Sequence, residues 1–82
     1  MSLQTERLLL ESKIDGLKND LEVKKMEGEM FVSQVRNELS PYLEFADVDA
    51  EKAMLAMTHI VRLKNEMKLI IKDIRALERK LN

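Results

Sequence analysis

The chain has no cysteine and no tryptophan, and its 82 residues include one proline, two glycines, one histidine and three aromatic side chains. Each shortage excludes something. Without cysteine there is no disulfide framework and no thiolate chemistry, and His59 alone makes a poor start for a zinc site. The positions three and four residues from His59 are Leu55, Ala56, Arg62 and Leu63, none of them a metal ligand. His59 therefore reads as a residue flanking an apolar seam, and neither metal nor cofactor is expected. Long apolar runs are also missing. The longest uncharged stretch, Ala53 to Val61, has nine residues, whereas a membrane-spanning helix needs about 20. Leu8, Leu9 and Leu10 follow Glu6 and Arg7 and are too few for the apolar region of a signal peptide. A cytoplasmic chain without membrane association is expected. Glycine-rich phosphate loops and nucleophile elbows are absent from the sequence, and solvent-facing carboxylates lack a pocket that would shift a pKa, so no enzymatic activity is expected.

What the chain does contain is helix-forming material. Apolar residues make up 45% and charged residues 35%, a composition typical of long helices and coiled coils. In the second half, Ala53, Ala56, Ile60, Leu63, Met67, Ile70, Ile74, Leu77 and Leu81 recur at alternating spacings of three and four. That is a heptad seam. Beside it, Met54, Met57, Val61 and Ile71 form a second ridge, which widens the apolar stripe beyond what one partner helix covers. In the first half the same spacing runs through Leu3, Leu10, Ile14, Leu17 and Leu21, and resumes at Phe31, Val35 and Leu39. Arg7, Lys24 and Gly28 occupy the intervening seam positions. Glycine within a helix costs about 1 kcal/mol relative to alanine, so Gly28 either permits close approach of the facing helix, marks a bend, or is simply tolerated.

The one proline marks the break. Pro41 disfavours helical backbone at Ser40, so the first helix should run from about residue 3 to 39, with a turn over about 40–47. Asp47 or Asp49 can cap the second helix, expected over about 48–81, and Glu51 suits the positive end of its dipole. Matched helix lengths and a short connection predict an all-α fold, an antiparallel two-helix hairpin of coiled-coil type. Two helices leave the outer ridges wet, so dimerisation into a four-helix bundle is expected, through a seam formed by Leu10, Ile14, Leu17, Leu21, Phe31, Val35, Ile60, Leu63, Met67, Ile70, Ile74, Leu77 and Leu81. Higher homo-oligomers, a foreign protein partner, and closure by exchange between two extended chains satisfy the same seams.

Two features are candidates for contact with partners. The turn gathers Tyr42, Leu43 and Phe45 among acids, and its side chains either fold back to plug the end of the bundle or stand out as interface anchors. The second half carries Lys64, Lys68, Lys72, Arg75 and Arg79 along one helical face. Between Glu38 and Glu51 there are five acids and no base, while from Lys52 onward eight bases accompany three acids. The basic face reads first as a solvated face, with acids of helix one such as Glu11, Asp15 and Glu22 available to pair with it, then as a contact for an acidic protein, and last as a contact for nucleic acid. Against the nucleic-acid reading stand the net charge of −1 and the lack of any aromatic within the stripe. The functional expectation is a non-enzymatic protein-interaction module or adaptor. A small nucleic-acid-associated regulator and a structural spacer are the alternatives.

Overall fold

Helix-favouring sequence on both sides of one proline folds as its spacing predicts. The computed structural model describes residues 3–82: helix α1 spans Leu3–Glu38, a short 3-10 turn spans Phe45–Asp47, and helix α2 spans Ala50–Leu81. No strand occurs among the described residues. The helices pack antiparallel along their length, giving a rod of 66 × 15 × 14 Å. None of the described helices is long and apolar enough to cross a membrane.

The break at Pro41 is built from hydrogen bonds that replace the interrupted helical ladder. The Ser40 N–H donates to the Asn37 carbonyl at 3.4 Å, and the Leu43 N–H donates to the Ser40 carbonyl at 3.1 Å. The Ser40 hydroxyl accepts from the Tyr42 N–H at 3.3 Å. A serine before proline thus serves three polar groups that helix α1 can no longer satisfy. Helix α2 starts at Ala50, not at residue 48, because Val48 is held in extended backbone where its N–H closes the 3-10 turn onto Phe45. Of the two candidate caps it is Asp49 that acts: its Oδ1 accepts from the Lys52 N–H at 2.9 Å. Such a cap contributes about 1 kcal/mol.

The seam is the core. Ile14, Ala53, Ala56, Leu63, Ile70 and Ile74 are buried, and Leu63 is only 1% exposed. Ile14, Ile70 and Ile74 form a cluster against which Leu17, Leu21, Leu77 and Leu81 pack. The remaining seam positions Leu10, Phe31, Val35, Ile60 and Met67 are half-buried. At the two ends the seam frays: Leu3 is 84% exposed and Leu39 is also exposed, because a two-helix rod has nothing beyond its last turn to cover them.

Of the three readings of Gly28, close approach is the one the geometry does not support: a Cβ built there meets nothing within 4 Å, and the same holds at Gly16; neither has a positive φ. The small side chains buried in the seam are Ala53 and Ala56, near the turn. With neither a steric nor a conformational reason for glycine, Gly28→Ala should stabilise the hairpin by about 1 kcal/mol. Thermal unfolding followed by circular dichroism measures this, and a lower melting temperature would show that residue 28 needs its glycine.

Candidate interaction surface

Once the helices lie antiparallel, three inter-helix pairs share one register. Lys24 Nζ lies 3.2 Å from Glu66 Oε2, Lys52 Nζ lies 3.2 Å from Glu38 Oε1, and the Phe31 ring stacks on the His59 imidazole with centroids 4.7 Å apart and planes 13° from parallel. In each pair the two residue numbers add to 90. The seam positions Lys24 and Phe31 on α1, and Glu38 one residue before Leu39, thus meet residues of α2 that each precede a seam position, Glu66, His59 and Lys52. His59 is a flank residue as its spacing implies, and its partner Phe31 could be found only after the register was known.

Among the described residues Lys24 is the one half-buried lysine or arginine, and its ammonium also lies 3.9 Å from Asp20. Glu66 additionally receives Arg62, whose Nη1 approaches Oε1 at 3.1 Å and Oε2 at 3.3 Å, while Arg62 Nη2 lies 3.5 Å from His59 Nδ1. This polar layer interrupts the apolar seam between Leu21 and Phe31. Such interruptions specify register and orientation more than they add stability. The hydrogen bond from Lys24, followed by that from Arg62, holds the Glu66 carboxyl below the usual glutamate range. A depressed carboxylate stabilises the fold above its unfolded-state pKa, and that contribution is lost as pH falls through the lower folded value. Glu66→Gln should therefore flatten the acid limb of the stability profile. Urea midpoints of the two chains, compared at neutral pH and below the carboxylate range, test this, and parallel acid limbs would show that the pairing carries no stability.

The turn side chains do not plug the hairpin. Tyr42 is 96% exposed and Phe45 is 95% exposed, while Leu43 is exposed to a smaller degree and Val48 is half-buried. The reason is the string of turns from Ser40 to Asp49, which keeps the backbone hydrogen-bonded to itself and directs both rings away from the helices.

The basic face is solvated, and the helix-one acids offered as its partners do not pair with it. None of Lys64, Lys68, Lys72, Arg75 and Arg79 comes within ion-pair distance of a described carboxylate. Glu11 is taken by Arg7 at 3.3 Å. The pair that does cross between the helices near the open end runs the other way, from Lys18 on α1 to Glu78 on α2 at 4.0 Å. Antiparallel packing sets this face of α2 to one side of α1, so its cations point to solvent. Lys68, Lys72, Arg75 and Arg79 wall a shallow groove of about 420 Å³ whose apolar wall is the half-buried Ile71.

The same face continues toward the turn as bare hydrocarbon. Met54, Met57 and Val61 are all exposed. The ridge that is too wide for one partner helix is therefore uncovered, with acids at one end and bases at the other. These features define a class: an antiparallel helical hairpin with a packed inter-helix seam and an uncovered, charge-polarised second face. No protein family, curated protein or solved structure matches the chain.

Proposed function

We propose that this chain is a non-enzymatic, cytoplasmic association module whose hairpins pair into a four-helix bundle and present their turns and basic faces to protein partners. The observation that carries the reading is the exposure of Met54, Met57 and Val61 beside a seam whose other face already packs on α1. A single small core supplies on the order of 3–5 kcal/mol, so covering a second apolar ridge is a large gain for a chain of this size. Tyr42, Leu43 and Phe45, held outward by the turn, are the residues with which the assembled module would grip a foreign protein. Light scattering after size exclusion, run over a range of concentrations, tests the first part. A mass twice the chain's 9.6 kDa is expected, and a mass of one chain throughout would refute it; growth beyond a dimer would favour a structural spacer.

The unpaired basic face supports a second reading, contact with nucleic-acid phosphates. Retention on DNA or RNA at low salt that collapses with added salt would establish it, and no retention at low salt would eliminate it.

A further inference from the structure

The uncovered face of α2 is self-complementary when it is reversed, and this points to its occupant. Along the ridge the residues run Met54, Met57, Val61, Lys64, Lys68, Ile71 at alternating spacings of three and four. Turned end for end about a point between Val61 and Lys64, the ridge sets Met54 against Ile71 of a second copy, Met57 against Lys68 and Val61 against Lys64. The lysine stems can cover the apolar side chains while their ammonium groups reach water. The groove bounded by Ile71, Lys72 and Arg75 then receives the exposed Met54 side chain. The flanking line, every seventh residue, runs Glu51, Thr58, Asn65, Lys72, Arg79. Reversal sets Glu51 beside Lys72 and Thr58 beside Asn65, so no like charges meet along this line. A parallel arrangement would set Glu51 on Glu51, Lys72 on Lys72 and Arg79 on Arg79. The turn acids Glu44, Asp47 and Asp49 fall beside the basic C-terminal end of the other α2.

The outer line of α1 is also poor in charge, through Leu9, Gly16, Val23 and Met30, but it is bordered by Asp15, Glu22 and Glu29. Pairing two copies there would bring those acids together. The α2 face from Glu51 to Arg79 runs about 42 Å at 1.5 Å per residue, the length over which the two copies would pack.

We propose that the face of α2 from Glu51 to Arg79 is a two-fold symmetric interface, on which a second copy of this chain docks antiparallel with its acidic turn against the first copy's basic end. This rests on the self-association proposed above and adds the surface, the direction and the register. Cross-linking tests it, helped by the absence of native cysteine. Met54→Cys combined with Ile71→Cys should form a covalent dimer on mild oxidation, whereas Met54→Cys alone should not, because the two residues 54 lie about 25 Å apart in this register. Cross-linking by Met54→Cys alone would mean parallel pairing and overturn the proposal.

Charge reversal gives an independent reading with surface residues only. Lys72→Glu with Arg75→Glu in one chain, and Asp47→Lys with Glu51→Lys in another, should each weaken self-association by about tenfold or more. Mixing the two chains should restore native affinity as a heterodimer, with helix content by circular dichroism unchanged throughout. If the native chain dimerises but neither reversal weakens it and mixing restores nothing, the register is wrong while self-association stands. A native chain that stays monomeric at every concentration removes both.

Discussion

Leu63→Ala should leave the isolated hairpin largely unfolded at room temperature. Leu63 is the largest fully buried side chain, 1% exposed, and truncating such a leucine costs about 2–5 kcal/mol through lost transfer energy and the cavity left behind. A single core of this size supplies on the order of 3–5 kcal/mol in total, so the loss is comparable to the whole. Because self-association would stabilise the folded chain by mass action, the comparison belongs at low protein concentration, with urea unfolding followed by helix ellipticity. A cost well under about 1 kcal/mol would mean that Leu63 is not the packed centre that its burial implies. Exposed Leu69→Ala, on the opposite side of the same helix, serves as a control and should cost a few tenths of a kcal/mol or about that.

Ala56→Leu should destabilise the hairpin by about 1–3 kcal/mol, although leucine favours both helix and core. Ala56 is buried at the turn-proximal end, where the Glu38–Lys52 and Phe31–His59 pairs tie the helices together on either side of its level. Three more carbons must either separate the helices, stretching those pairs, or take a strained rotamer. Thermal unfolding measures the cost. A stabilised Ala56→Leu chain would show that the alanines leave unfilled space, and would move the close contact elsewhere along the rod. Paired with Gly28→Ala, the substitution separates two ways a small residue can sit in a helix: required by a neighbour, as at Ala56, or required by nothing, as at Gly28.

Much of this was legible in residue spacing, because a helix converts sequence separation directly into direction. The alternation of three and four identified Ile14, Leu63, Ile70 and Ile74 as core, and Pro41 located the reversal. Of the second ridge, Met54, Met57 and Val61 stay exposed beside α1 while Ile71 is half-buried. Pairings across the hairpin were less accessible. Acids of α1 within reach of the Lys64–Arg79 face could not be named without the register, and the pairs that form are Lys18–Glu78, Lys24–Glu66 and Glu38–Lys52. Lys24 on the seam was the available signal that a polar layer would form, but its partner Glu66 sits outside the seam.

The primary structure alone determined that the chain is two long helices, where they break, and which face of each is apolar, since these depend on local backbone preference and on periodicity within one helix. Only the tertiary structure decided what meets what: the stack of Phe31 on His59, the capture of Glu66 by Lys24, the outward placement of Tyr42 and Phe45, and the freedom of the basic face. Those outcomes depend on how far one helix slides along the other and on the path of the backbone between them. Both are set by the summed packing of the whole seam and by the hydrogen bonds of the turn, so neither can be assigned to a single residue or a short motif.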